Sequence, residues 1–95
     1  MDNQLQQTDT KTPLFVSSYW KDELVVYPTY LTYKKLFGEK RLILIDKIAD
    51  VSKPFMALTG VNISLISGET LKLSMRQERI NEFMELMGRL RSISS

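Results

Sequence analysis

Neither cysteine nor histidine occurs among the 95 residues, and each absence removes whole classes of chemistry. Without cysteine there is no disulfide framework, no thiolate nucleophile and no Cys/His zinc site. Without histidine there is no imidazole general base, and the Ser-His-Asp triad goes with it. Glycine is scarce and scattered: Gly38, Gly60, Gly68 and Gly88 stand singly, so no Walker-type phosphate loop is present. The carboxylates Asp22, Glu23, Asp46 and Asp50 lack metal-ligand spacing. Asp46 and Asp50 would meet only if the intervening Lys-Ile-Ala turned helical, and all four read as solvated surface charges. Charge of one sign is also lacking, since the net is only +2. Binding to a polyanion would therefore need a local patch. Aliphatic runs such as Leu42 to Ile45 are far too short to span a bilayer. The opening "MDNQLQQTDTKTP" lacks the basic-then-apolar order of a signal peptide. These absences lead to the expectation of a soluble cytoplasmic domain that is not an enzyme and uses no cofactor.

What is present suits one small globular unit. Hydrophobic residues make up 43% and charged residues 25%, ordinary values for a folded domain. Residues 1–13 are almost without apolar side chains and are expected to form a disordered tail, since they bury too little to offset the entropy of ordering. Residues 14–95 are expected to form a single domain. "LFVSSYW" and "ELVVYPTYLTYKKLF" are rich in β-branched and aromatic residues and read as strands, with a tight turn at Lys21-Asp22. Pro28 cannot donate to a ladder and should split the second run. A hairpin is expected from residues 55–66 and 70–74 around a Ser67-Gly68-Glu69 loop. That three-residue loop sets Leu65 opposite Leu71 and Ile63 opposite Leu73, all on one face, whereas a two-residue loop would expose one strand's apolar side.

The period changes near residue 75. Ile80, Phe83, Met84, Met87 and Leu90 recur at steps of three and four, the mark of one helical face. Ser74 with Gln77 has the form of a capping box and predicts a helix start near Met75. Glu85 and Arg89 are spaced for an i,i+4 pair, and Gly88 would allow close approach to a sheet. The stripe itself is expected to pack on the chain's own body. The fold class is therefore mainly β, with about six or seven antiparallel strands closed by one carboxy-terminal helix.

Two stretches carry a resemblance to the PH-like superfold, and within it to bacterial PH and GRAM-like domains. "YLTYKKLFGEKRLILIDKIADV", Tyr30 to Val51, is similar to that family's strand pair followed by a strand with an I-x-x-V pattern, here Ile48-Ala49-Asp50-Val51. "ISLISGETLKLSMRQERINEFMELMGRL", Ile63 to Leu90, resembles the closing hairpin and its helix with the Glu82-Phe83 pair. The resemblance implies a partly open barrel capped by the helix, and a binding or scaffolding module. Some members of the family bind phosphoinositides through basic residues near the first loop. Here that loop is "WKDEL", where Lys21 is followed by two acids.

Three candidate roles follow. The first is protein–protein interaction or self-association, through an exposed strand edge or through exposed aromatics. Adjacent Tyr19 and Trp20 cannot share a strand face, which makes them the interface candidates. The second is an anionic-lipid or phosphate contact at "TYKKLFGEKRLILI", using Lys34, Lys35, Lys40 and Arg41. A two-residue turn would group Lys35 with Lys40 and Lys34 with Arg41; a one-residue shift would group Lys35 with Arg41 and Lys34 with Lys40. Each face then receives two of the four charges. The third, and least favoured, is an OB-like binder of single-stranded nucleic acid, using aromatics beside lysines.

Overall fold

The computed structural model describes residues 12–56 and 58–94, so the first eleven residues of the expected tail lie outside the described residues. Among the described residues, seven strands, a 3-10 turn and one helix follow in order. The strands are β1 (Phe15–Tyr19), β2 (Asp22–Val26), β3 (Tyr30–Lys34), β4 (Arg41–Leu44), β5 (Ile48–Ser52), β6 (Gly60–Leu65) and β7 (Thr70–Ser74). The 3-10 turn covers Ile45–Lys47 and helix α1 covers Gln77–Ser94. All strand pairs are antiparallel and sequential, giving a four-stranded sheet β1-β2-β3-β4 and a three-stranded sheet β5-β6-β7. The chain is thus mainly β, with two antiparallel sheets and a carboxy-terminal helix.

Alternation along the strands builds the core. Phe15, Val26, Leu31 and Ile43 stand in one cross-strand row on the inner side of the first sheet, and all four are buried. Val61 and Ile63 oppose Leu73 and Leu71 on the second sheet and are buried with them. The stripe of α1 closes this interior: Ile80, Phe83, Met87 and Leu90 are buried and Met84 is partly so. Phe83 meets Phe15 with ring centroids 5.5 Å apart. Full burial of a side chain of this size contributes roughly 1.5–3 kcal/mol before entropy is counted.

The I-x-x-V pattern has a local cause. Residues three apart in a regular strand point to opposite sides, yet Ile48 and Val51 are both buried. A register shift between Ile48 and Asp50 resolves this, because the extra residue of a bulge turns the following side chain over.

Five expectations change in detail. The first hairpin turns at Trp20-Lys21, one residue earlier than Lys21-Asp22, with Tyr19 paired to Asp22. Both turn residues have positive φ, 54° and 69°, the signature of a type I′ turn, whose twist matches that of the strands. The second is the β6–β7 loop, which is three residues long as expected but consists of Ile66, Ser67 and Gly68. The Leu65 N–H donates to the Glu69 carbonyl at 2.8 Å, and Gly68 takes φ 99°. Ile63 therefore opposes Leu71, a shift of two residues that leaves the inward face unchanged. Third, α1 begins at Gln77 rather than near Met75, because Ser74 is the last residue of β7 and its N–H is bonded to Asp22. Fourth, the ion contact seen within α1 among the described residues is Arg79 Nε with Glu82 Oε1 at 3.2 Å, without hydrogen-bond alignment, and not the expected Glu85 with Arg89. Finally, Gly88 makes no close approach: an added Cβ would meet nothing within 4 Å beyond its own helix.

Candidate interaction surface

The register of the first sheet also determines its outer side. Val16 pairs with Val25, Val25 with Thr32 and Thr32 with Leu42. These four residues therefore form one row across the full width of the sheet. Val16 is 53% and Leu42 59% exposed, so the ends of the row stand open to solvent. A neighbouring row adds Leu44 opposite Tyr30, with Tyr27 stacked on Tyr30 at 4.6 Å and Leu14 exposed at the edge. Exposed apolar side chains therefore adjoin one another on this side and do not stand singly. On the other flank the face becomes polar: Ser18 pairs with Glu23, and Glu23 with Lys34. One half of the outer face is thus apolar and the other charged.

The four cations singled out in the sequence do not gather at one point. Strand pairing continues to Tyr33 opposite Arg41, the shifted register, which puts Lys34 with Lys40 and Lys35 with Arg41. Arg41 is held by Glu69 through two bonds, Nη1 to Oε2 at 2.7 Å and Nη2 to Oε1 at 3.0 Å, the bidentate geometry that suits guanidinium and carboxylate. That hydrogen bonding holds the Glu69 carboxyl below its ordinary range and raises the Arg41 guanidinium above its own, against a smaller opposing effect of desolvation. Lys35 Nζ donates to Asp22 Oδ2 at 3.2 Å and to the Lys72 carbonyl at 2.6 Å. Lys34 Nζ reaches only the Lys35 carbonyl among the described residues, at 3.4 Å. Two of the four charges are therefore already neutralised by carboxylates.

Asp22 is the residue that sequence reasoning misplaced. It is only 7% exposed, and its Oδ2 accepts both Lys35 Nζ and the Ser74 backbone N–H, the latter at 2.9 Å. Ser74 belongs to β7, so one carboxylate oxygen bridges the two sheets. The signal was the phase of the strand: Asp22, Leu24 and Val26 alternate with Glu23 and Val25, which puts Asp22 on the inward side. The outer apolar row also had a signal. "LVV" and "LIL" are continuous rather than alternating, which indicates strands with both sides covered.

Of the two aromatic candidates, Trp20 is 78% exposed at the turn. Tyr19 is half-buried, with its ring edge-on to Trp20 at 6.2 Å and under the Arg76 guanidinium at 5.9 Å. Beside that turn, across the Asp22–Lys35 contact, the β3–β4 loop exposes Leu36 and, at 96%, Phe37.

Comparisons bear on the fold alone. No protein-family model and no curated protein matches this chain. The crystal structure of the C-terminal domain of an unknown protein from Leishmania infantum is similar, with a TM-score of 0.61 at 15% identity, over 94% of this chain and 96% of that one. Among the described residues, no helix is long and apolar enough to cross a membrane.

Proposed function

We propose that this chain is a PH-like, non-enzymatic interaction module that docks another protein surface on the outer side of its first sheet. The supporting observation is the row Val16, Val25, Thr32, Leu42 with Leu44 and Leu14 beside it, a largely apolar band whose Val16, Leu42, Leu44 and Leu14 are exposed among the described residues. A face fits better than a strand edge. Backbone groups of three edge strands are already bonded to side chains: Val16 of β1 to Arg79, Ala49 of β5 to Arg91, and Lys72 and Ser74 of β7 to Lys35 and Asp22. Such bonds occupy groups that strand addition would need. The test is affinity purification of the tagged full chain from its native cells, compared with a Val16→Glu/Leu42→Glu variant that keeps the same thermal midpoint. Proteins that bind specifically, copies of the chain included, are expected to be lost from the variant. Equal recovery on both would overturn the proposal.

A second reading rests on the loop tips. Trp20, Leu36 and Phe37 project at one end of the first sheet, and Lys21, Lys34 and Lys40 lie beside them in sequence. Apolar side chains ringed by lysines suit an anionic bilayer surface, where the rings enter the headgroup layer and the ammonium groups stay outside. This replaces a cradle of four basic residues with a wedge and three lysines. Co-sedimentation with phosphatidylserine vesicles should fall with salt and with Phe37→Ser/Trp20→Ser. Binding that is indifferent to both changes would exclude it.

A further inference from the structure

The occupant of the outer face can be read from its own charge pattern. We infer that it is a second copy of this chain, packed face to face about a two-fold axis that runs along the strands between β2 and β3. This deepens the proposed docking role and rests on it. Rotation about that axis keeps the level along each strand and reverses the strand order. Over β2 then lies the partner's β3, and over β1 the partner's β4. Each cross-strand row of the sheet therefore maps onto itself in reverse.

The consequence is self-complementary along the apolar row and at the central pair of the polar row. In the apolar row, Val16 meets the partner's Leu42 and Val25 meets the partner's Thr32. In the next row, Tyr27 meets the partner's Tyr30. In the polar row, Glu23 meets the partner's Lys34, and by symmetry Lys34 meets the partner's Glu23. A two-fold contact requires such self-complementarity, and a face bearing like charges at positions 23 and 34 would repel its copy. Neither Glu23 nor Lys34 has an ion partner within 4.0 Å among the described residues, so both remain available to a partner. Sheets packed in an aligned stack cross at about −30° because each is twisted. Residues beside the axis move least under that twist, and Glu23, Val25, Thr32 and Lys34 are those residues. The face is roughly 19 Å across four strands and 17 Å along five residues, from the spacings of a regular sheet. That is about 320 Å² per copy from those spacings, below the size of standard specific interfaces, so the dimer is weak and forms only with concentration.

Charge exchange tests the geometry directly. The wild-type full chain should dimerise by sedimentation velocity and native mass spectrometry between micromolar and roughly millimolar concentration. Glu23→Lys alone and Lys34→Glu alone each place like charges opposite one another twice, and each should weaken the dimer roughly tenfold. A 1:1 mixture of those two variants should form a heterodimer that recovers wild-type affinity, since every contact at positions 23 and 34 is then between opposite charges. Contacts within one chain cannot produce that recovery. A mixture no tighter than the single variants overturns the inference, as does a wild type that is monomeric throughout. In either case, specific binders lost from the Val16→Glu/Leu42→Glu variant would still support docking to a different protein. Unchanged recovery on that variant would remove the docking role as well.

Discussion

Replacing Asp22 by alanine removes the acceptor that joins the two sheets, and the structure allows the effect to be sized. The charge-assisted bond to the Ser74 N–H, at 2.9 Å, is lost from a carboxylate that is almost fully buried. Bonds to charged groups are worth about 1.5–3 kcal/mol net. The Lys35 side of the bridge matters less. Its side chain is 47% exposed, it keeps the Lys72 carbonyl, and solvent replaces the lost partner, so this half contributes below about 1 kcal/mol. The sum for Asp22→Ala is about 1.5–4 kcal/mol. At about 4–8 °C per kcal/mol for a domain of this size, the thermal midpoint should fall by roughly 6–32 °C. Asp22→Asn keeps a neutral acceptor and should lose only about 1 kcal/mol. Urea unfolding at constant m-value reads these differences, and amide exchange at Ser74 should accelerate in the alanine variant. The reasoning fails if Asp22→Ala lies within about 0.5 kcal/mol of wild type. It also fails if Lys35→Met is as damaging as Asp22→Ala, because the energy would then reside in the ion pair and not in the backbone bond.

Three further outcomes follow from single features. Gly88→Ala should stabilise by about 0.8–1.0 kcal/mol, since the position is helical and open; a loss in urea midpoint would mean that the glycine serves a contact. Trp20→Asn with Lys21→Gly should stabilise by about 1 kcal/mol or more, because both residues hold positive φ that asparagine and glycine adopt readily in a type I′ turn; an unchanged midpoint would argue against strain there. Glu69, its carboxyl lowered by Arg41 from the ordinary 4.5, contributes stability that is complete above that value and is lost as pH falls through the lower folded value. The gap between wild type and Glu69→Gln should therefore close on acidification and shrink with salt, and a gap constant from pH 7 to pH 3 would contradict the pairing.

Much of the fold was legible because it depends on local chemistry. The stripe from Ile80 to Leu90 announced a helix, and Pro28 separated β2 from β3. At the β6–β7 loop, the requirement that apolar residues share a side restricted the register to steps of two. It could not choose between Ile63 opposite Leu71 and Ile63 opposite Leu73, since both satisfy that parity. The choice fell to Gly68, whose positive φ suits the last position of the loop. The capping box at Ser74 and Gln77 had the right spacing, but the Ser74 N–H that the box would offer to Gln77 is held by Asp22, and the helix begins only at Gln77, too late for Ser74 to be its N-cap. Asp22 was misplaced because a carboxylate beside a turn ordinarily stands in water. Only a buried donor from a distant strand makes an inward carboxylate tolerable.

The sequence by itself determined which faces exist. Periods of two and of three to four set the inward side of each strand and of the helix, and the absence of cysteine and histidine set the chemistry that the chain cannot perform. Tertiary structure decided which charges remain free and which apolar residues become neighbours. Lys35 and Arg41 are bound by Asp22 and Glu69, partners thirteen and twenty-eight residues away. Val16, Val25, Thr32 and Leu42 span more than two dozen positions in the chain yet form one row. The physical reason is that alternation is a property of one strand, whereas a surface is a property of register between strands, and register is set by turns, bulges and buried partners acting together.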